Sequence, residues 1–138
     1  MKLSLRVPTE KEFQQICNYI HDFELDDRSL LQNQFIAAFR DHELVGFGRL
    51  RDHADCIELC SLGVITQHRK QGIGKAIVTE LMRKSPPNLY LVCIIPEFFS
   101  PFGFTTVKEY PSPIKDKLDY CTYELVVPET YVVMLLHN

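Results

Sequence analysis

The chain has 138 residues, 46% of them hydrophobic and 24% charged, with 15 Lys and Arg against 18 Asp and Glu. This composition predicts one globular domain over residues 1–138 and excludes a disordered tail, a collagen-like chain and a small disulfide knot. The net charge of −3, without a Lys/Arg stripe, argues against nucleic acid as the main partner.

The first elements along the chain are a strand and a helix. Leu3 to Val7 alternates apolar and polar residues, which is typical of a short strand. Thr9 and Glu12 have the spacing of a capping box, so a helix is predicted from there to about His21.

The middle of the chain predicts a short helix and a hairpin. Ser29 with Gln32 is spaced to cap a short helix. A tight polar turn at residues 41–43 separates two strand-like runs, and a further strand follows them. These three predicted strands are 34–40, 44–51 and 56–64.

The second half begins with the clearest helix, from Gly72 to Lys84. Its apolar stripe and its basic last turn both favour a helix, which ends before two prolines. A second helical segment is predicted over 114–121. The remaining apolar runs predict strands over 89–95, 104–107 and 131–136.

No segment of the sequence is typical of a membrane or secreted protein. The longest apolar run, Leu89 to Ile95, is much shorter than the roughly 20 residues of a membrane span. Residues 1–10 have no apolar region of secretory type. We therefore expect a cytoplasmic protein without a membrane partner.

The cysteines are odd in number and widely spaced. Their positions are Cys17, Cys56, Cys60, Cys93 and Cys121. His53 and Cys56 are close, but a single pair is weak evidence for a metal. We expect free thiols, with no disulfide and no metal.

A glycine-rich stretch between an apolar strand and the strongest helix is the most informative feature. Glycines at a helix start let backbone approach a ligand, and the first-turn amides with the helix dipole favour an anion. The dinucleotide fingerprint fails because Ile77 stands where glycine or alanine is needed. The P-loop pattern fails at Arg69 and Ala76. An alternative is that these glycines only permit close helix–sheet packing and a bend.

The pattern Arg69-x-x-Gly72-x-Gly74, with Val64 five residues upstream, resembles the pyrophosphate loop of the GCN5-related N-acetyltransferases, the GNAT family, which bind acetyl-CoA. The element order from Leu3 to Leu136 is similar, and so are the hairpin run 43–48 and Phe102-Gly103-Phe104. The resemblance implies an α+β fold of GNAT type. Its mixed sheet has six or seven strands, with helices on both faces.

The resemblance also implies which residues bind coenzyme A. Backbone groups of the fourth strand would pair with the pantetheine arm, at Leu62, Gly63 and Val64. Backbone amides of the loop would hold the pyrophosphate, at Lys70, Gln71, Gly72, Ile73, Gly74 and Lys75. The Arg69 and Lys75 side chains would add positive charge there, or else are simply solvated.

The implied reaction is direct acyl transfer from a thioester to an amine, which needs a base for the amine's proton. Glu58 is the candidate, as the only charged residue between Cys56 and Val64, and an apolar strand tends to raise the pKa of a carboxylate. The alternative is that Glu58 lies on an edge or faces solvent. The backbone N–H of Leu62 would stabilise the oxyanion.

Two positions depart from the family pattern. Phe99 stands where many relatives have a tyrosine that protonates the leaving thiolate, and the neighbouring Ser100 either substitutes for it or is only a turn residue. Ile95-Pro96-Glu97 replaces an asparagine frequent after the fifth strand. A module that binds coenzyme A without catalysis therefore stays open as an alternative.

The acceptor is expected to be the primary amine of a small molecule. Glu24, Asp26 and Asp27 would attract a cationic amine, or else form a solvated acidic loop. The segment from Pro111 to Cys121, with Lys117, resembles amino-acid acetyltransferases of the N-acetylglutamate-synthase type, which implies an amino acid acceptor. The alternative is a protein or peptide acceptor, and a homodimer is also allowed.

Overall fold

A computed structural model describes residues 2–125 and 129–137. Within these residues the strands are β1 Leu3–Arg6, β2 Phe35–Arg40, β3 Glu43–Asp52, β4 Ile57–Val64, β5 Asn88–Cys93, β6 Thr105–Thr106 and β7 Val132–His137. The helices are α1 Glu10–Asp22, α2 Ile73–Lys84, α3 Pro96–Phe99 and α4 Ser112–Glu124. The strands form one sheet in the order β1-β2-β3-β4-β5-β7-β6, with β4 and β5 parallel. This confirms the predicted mixed sheet.

The chain divides into two compact units. The first comprises Met1–Leu50 and Cys60–Lys84, and the second comprises Arg51–Leu59 and Ser85–Asn138. Strand β4 contributes its first residues to the second unit and its last residues to the first. The prediction of a single domain over the whole chain stays a prediction.

Helix α1 of the first unit begins with the predicted capping box. The Thr9 hydroxyl accepts from the Glu12 backbone N–H at 3.3 Å, and the Glu12 carboxylate accepts from the Thr9 N–H at 2.8 Å. Ile16 and Ile20 are fully buried in a core that also holds Phe35. Local capping and apolar spacing together therefore fix this helix against the sheet.

The hairpin of β2 and β3 turns through two residues with left-handed backbone. Asp41 and His42 have φ of 52° and 67°, and Arg40 is paired with Glu43. Positive φ at both central residues is the geometry that matches the twist of a two-residue hairpin. The predicted hairpin is confirmed.

The predicted short helix after α1 is a 3-10 turn at Gln32–Gln34, and its predicted cap is wrong. Leu31 precedes the turn without a side-chain cap, whereas Ser29 has a left-handed φ of 51°. The turn also moves the start of β2 to Phe35.

Helix α2 packs its apolar stripe on glycines of β3. A Cβ added at Gly46 would lie 2.8 Å from the Ile77 side chain, and one at Gly48 would lie 3.1 Å from both Ile77 and Leu81. The helix bears the predicted stripe, since Ile73, Ile77, Val78 and Leu81 are all buried. The close helix–sheet approach therefore depends on strand glycines.

In the second unit, β5 and β7 pair antiparallel from Asn88 with His137 to Cys93 with Val132. Helix α4 begins at Ser112, two residues before the predicted start, because proline is tolerated in a first helical turn. Strand β6 is shorter than the predicted 104–107 because Phe104 is buried against the Phe99 ring and does not pair in the sheet.

None of the helices in the described parts of the chain has the length and apolar character needed to cross a membrane. All five cysteines lie in the described parts of the chain, and none of them forms a disulfide there. Three of them are buried, namely Cys60, Cys93 and Cys121.

Candidate active site

The glycine loop leads directly into the first turn of α2. The Ala76 backbone N–H donates to the Gly72 carbonyl at 3.1 Å, so Gly72 is the residue that precedes the helix. Lys70 and Gly72 both have left-handed backbone, with φ of 66° and 82°. The amides of residues 73–75 belong to the first helical turn, which has no intrahelical acceptors for them and carries the positive end of the dipole. This geometry suits an anion such as a phosphate.

Gly72 does not serve close packing. A Cβ built at Gly72 would meet nothing within 4 Å, whereas one at Gly46 would lie 2.8 Å from Ile77. Glycine is needed at this position for its left-handed φ, a backbone conformation that residues with a side chain adopt only rarely. The alternative that the glycines permit close helix–sheet packing is therefore wrong for Gly72. The bend that this alternative also included is present, because the backbone of Gly72 is left-handed.

Side chains tether the loop to the rest of the first unit. The Arg69 Nε donates to the Val64 carbonyl at 2.9 Å, and its guanidinium carbon lies 5.0 Å from the centre of the Phe23 ring. The Gln71 side-chain oxygen accepts from Arg40. Arg69 therefore fixes the loop to the end of β4, in addition to bringing positive charge there.

The last residues of β4 are Leu62, Gly63 and Val64, and a left-handed residue precedes them. Ser61 has φ of 52°, which interrupts the extended backbone of the strand. Gly63 packs so closely against Phe47 that an added Cβ would lie 2.6 Å from the Phe47 ring. The three residues predicted to hold the pantetheine arm thus follow directly on an irregular strand segment.

The Ser61 conformation is held by a buried arginine that the sequence analysis missed. The Arg49 Nε donates to the Ser61 hydroxyl at 3.0 Å, and that hydroxyl donates to the Asp26 carbonyl at 2.8 Å. The Arg49 guanidinium also donates to the carbonyls of Arg28 at 2.9 Å and Ser29 at 3.1 Å. A fully buried charge thereby acquires the hydrogen bonds that it needs.

The expectation of a solvated acidic loop is wrong for Asp26. Its residue exposure is 3%, and its carboxylate accepts from the backbone and side chain of Arg28 at 3.0 Å. Glu24 and Asp27 are exposed. Asp26 therefore stabilises the segment after α1 and is not part of a solvated acidic surface.

Glu58 lies at the centre of a buried cluster in the second unit. One carboxylate oxygen lies 2.7 Å from the Lys117 ammonium and the other lies 2.8 Å from His53 Nε2. The side-chain exposures are 0% for Glu58, 5% for Lys117 and 12% for His53. The alternative of a solvent-facing or edge position for Glu58 is therefore wrong.

The cluster changes the electrostatic argument about Glu58. An apolar strand alone disfavours a charged carboxylate, whereas a cation at hydrogen-bond distance favours it. The Lys117 ammonium supplies that cation at 2.7 Å. A buried carboxylate thus keeps its charge beside a histidine, which is the arrangement that can orient an imidazole and stabilise its protonated form.

Cys56, near His53 in sequence, is not disposed to bind a metal. Burial, together with the negative charges of Asp55 and Glu58, raises the pKa of the Cys56 thiol to about 11. A thiol binds metals as the thiolate, so this shift makes the binding form of Cys56 more costly to reach. His53 instead contacts Glu58.

The two residues at the expected general-acid position offer little acid chemistry. Phe99 is 4% exposed and packs edge-on against the Phe98 and Phe104 rings. The Ser100 hydroxyl is exposed and donates to the Pro96 carbonyl at 2.9 Å, within the same short helical segment. Ser100 therefore has the bond of a local turn residue.

Comparison with known proteins decides the family. The model of the acetyltransferase (GNAT) family matches residues 3–98 of the chain. The chain belongs to this family. No curated protein matches it by sequence.

Solved structures show the same GNAT fold. Rv2747 from Mycobacterium tuberculosis, in complex with CoA, has a TM-score of 0.78 at 19% identity, covering 98% of this chain and 99% of its own. Naa50 from Arabidopsis thaliana, in complex with the bisubstrate analogue CoA-Ac-MVNAL, has a TM-score of 0.66 at 17% identity, with 98% of each chain covered.

A third similar structure is much longer than this GNAT chain. N-acetylglutamate synthase from Neisseria gonorrhoeae, complexed with coenzyme A and N-acetyl-glutamate, has a TM-score of 0.73 at 20% identity. The match covers 100% of this chain and 36% of the synthase. The chain therefore spans about a third of that relative's length.

Both partners of Glu58 were missed, Lys117 because it is 59 positions away and His53, five positions away, because it was paired with Cys56 instead. One signal for Lys117 was available. Lys117 lies between Ile114 and Cys121 at helical spacing, on the buried face of α4. A lysine within an apolar helical stripe indicates a buried ion pair. A single carboxylate in an apolar strand, such as Glu58, needs a cation to stabilise it when it is buried. The lysine in the helical stripe and the glutamate in the strand could therefore have been paired from the sequence.

Proposed function

We propose that this GNAT chain transfers the acetyl group of acetyl-CoA to the primary amine of a small molecule. The observation that carries the proposal is the Glu58 carboxylate, fully buried and bonded to Lys117 and His53. Removing such charges from water costs several kcal/mol, and a module that only binds coenzyme A would not require it. A reaction that must remove a proton from an amine does require a positioned base.

The glycine loop would hold the cofactor. The amides of residues 70–75 would donate to the pyrophosphate, aided by the dipole of α2 and the positive charge of Arg69. Backbone groups of Leu62, Gly63 and Val64 would pair with the pantetheine arm. The left-handed φ of 82° at Gly72 and the open space beside it support the first assignment.

The chemistry needs proton removal more than proton donation. The free amine attacks the thioester carbonyl, and the Leu62 N–H would stabilise the oxyanion. The sulfur then leaves as a thiolate, which is tolerable because an ordinary thiol has a pKa of about 8.5. The buried Phe99 is compatible with this reaction, and Ser100 is a weak candidate for an acid because its hydroxyl is bonded to Pro96.

We infer that the acceptor is an amino acid. The segment 111–121 motivates this choice, and the similarity to an N-acetylglutamate synthase solved with N-acetyl-glutamate supports it. The similarity to Naa50, solved with CoA-Ac-MVNAL, supports a peptide acceptor as the second candidate.

The test is release of free CoA thiol from acetyl-CoA in the presence of amino acids, polyamines and peptides, each assayed separately. Release with amino acids is the expected result. Release only with peptides would show that the acceptor is a peptide and not an amino acid, while the chain would still be an acetyltransferase. Calorimetric binding of CoA without release by any amine would identify a binding module and overturn the proposal.

A further inference from the structure

Glu58 cannot itself meet an incoming molecule. Its side chain has no exposed surface, and its two oxygens are engaged by Lys117 at 2.7 Å and His53 at 2.8 Å. His53 has the largest exposed fraction of the three side chains, at 12%. Any proton that reaches this cluster from an acceptor therefore arrives most directly through the imidazole.

We propose that His53 is the catalytic residue that takes the amine's proton, with Glu58 as the residue that positions it. This inference rests on the proposed function. It changes which group touches the amine, while the buried carboxylate orients the imidazole.

The hydrogen bonds determine which ring nitrogen carries the lone pair. Lys117 keeps Glu58 charged, and a charged carboxylate only accepts hydrogen bonds. The contact between His53 Nε2 and Glu58 therefore places the imidazole proton on Nε2. A neutral ring has one N–H and one lone pair, so Nδ1 of His53 is the nitrogen that can accept a proton.

The backbone around His53 holds the ring in place. The His53 N–H donates to the Cys56 carbonyl at 2.9 Å, which closes the loop between β3 and β4. The Asp52 carboxylate accepts from the Ala54 N–H at 2.8 Å, and Ala54 has a left-handed φ of 72°. A ring fixed both by its loop and by Glu58 is oriented before a substrate arrives, which a base requires.

The proton transfer balances without any further reactant. One N–H bond of the acceptor's ammonium group breaks, and a new N–H bond forms at Nδ1 of His53. The imidazolium keeps its Nε2–H on Glu58, whose negative charge offsets the new positive charge. The freed lone pair attacks the thioester carbonyl to form the C–N bond. As the C–S bond breaks, its electron pair leaves with the CoA sulfur, and the second proton of the attacking nitrogen passes to that thiolate, which gives the neutral amide and free CoA thiol. The proton held on Nδ1 then returns to solvent.

Lys117 does not compete for this role. Its ammonium is bonded to Glu58 and its side chain is 5% exposed, so it acts through the carboxylate. A cation has no lone pair with which to accept a proton. Its place in the reaction is to keep Glu58 charged.

The test uses the variants His53→Ala and His53→Gln in the CoA-release assay. We expect turnover to fall by roughly 10²–10³-fold in both, since a general base contributes about this much. Free imidazole should restore part of the activity of His53→Ala, because the vacated space admits a substitute base. It should not restore His53→Gln, whose side chain fills the space and accepts no proton. CoA affinity should be unchanged in both.

A matched control is His21→Ala, the same substitution at an exposed histidine near the end of α1, and its turnover should equal that of the wild type. Normal turnover of His53→Ala beside an active wild type would overturn the inference and leave the proposed function intact. A loss of turnover in His53→Ala that imidazole does not restore at any concentration would also overturn the inference. A wild type that releases no CoA with any amine would overturn the proposed function itself, and the inference with it.

Discussion

The Nε of Arg49 donates to the Ser61 hydroxyl at 3.0 Å, in a place from which water is excluded. Arg49 is on β3 and Ser61 is on β4, and the other guanidinium nitrogens bond to carbonyls of residues 26, 28 and 29. One charge thus joins two strands to the segment that follows α1, all within the first unit. The left-handed backbone of Ser61 persists because its hydroxyl is held from both sides.

Arg49→Met should destabilise the protein by about 2–4 kcal/mol, because it leaves buried carbonyls and a hydroxyl without their donor. Urea unfolding followed by circular dichroism measures the change. Arg83→Met is the control, since Arg83 is 67% exposed and its pair with Glu80 lies on the surface. Equal stability of the Arg49 variant and the wild type would show that the network contributes nothing net.

Glu12→Gln should weaken the protein at neutral pH and have little effect near pH 2. The hydrogen bond from Arg6 lowers the pKa of Glu12 from 4.5 to about 2. A lowered carboxyl pKa stabilises the fold above pH 4.5, and that stabilisation is lost as the pH falls toward 2. We expect about 1 kcal/mol at pH 7, since the pair is partly exposed. Thermal unfolding from pH 2 to 7 should show curves that converge in acid, and parallel curves would contradict the prediction.

Cys56 should resist alkylation by iodoacetamide and should contribute to alkaline unfolding. Burial raises the pKa of its thiol from 9.0 to about 11. At pH 9 its thiolate fraction, and hence its labelling rate, should be roughly 50-fold below that of an unperturbed thiol. Because the folded state favours the protonated thiol, this contribution to stability is full below pH 9 and is lost as the pH rises toward 11. Mass spectrometry of labelled native and denatured protein checks it, and equal rates would refute it.

Gly74→Val should weaken CoA binding by at least roughly tenfold, an affinity change that calorimetry resolves easily. Gly74 is the second residue of α2, where a branched side chain would obstruct approach to the first-turn amides. Lys84→Val is the control, because it introduces the same residue at the exposed far end of the helix. If Gly74→Val bound CoA as tightly as the control, the loop would not be the pyrophosphate site.

Glu58→Gln should lower turnover by roughly 10²–10⁴-fold with CoA affinity nearly unchanged. The amide keeps the shape of the carboxylate but cannot offset the charge of a protonated His53. Glu97→Gln is the matched control, because Glu97 is an exposed carboxylate that a water chain could otherwise reach. Near-normal turnover of the Glu58 variant, or a comparable loss in the Glu97 variant, would return Glu58 to a structural role.

The elements that were predicted correctly depend on neighbours in sequence. The capping box of Thr9 and Glu12, the apolar stripe of α2 and the turn at Asp41 and His42 each extend over a few residues. Capping, periodicity and turn chemistry act over that range, so a single sequence displays them. The order of the strands within the sheet was not predicted.

What could not be predicted depends on residues that meet only in the folded chain. Glu58 and Lys117 are 59 positions apart, and Arg49 reaches residues 20 to 23 positions earlier. The buried Asp26 was expected in solvent because acidic residues in a loop usually lie there. Burial of a charge is decided by its partner, which sequence periodicity does not identify.

The Glu58–Lys117 pair also has a consequence for the order of folding. The second unit consists of residues 51–59, which lie between the two segments of the first unit in sequence, and of residues after 84. Contacts this distant in sequence form late, because closing the intervening loop costs entropy first. During synthesis the carboxylate is therefore made long before its counter-ion. A nascent chain that stalls before Lys117 exposes Glu58 to water as an ordinary acidic side chain, without the environment from which its proposed chemistry arises.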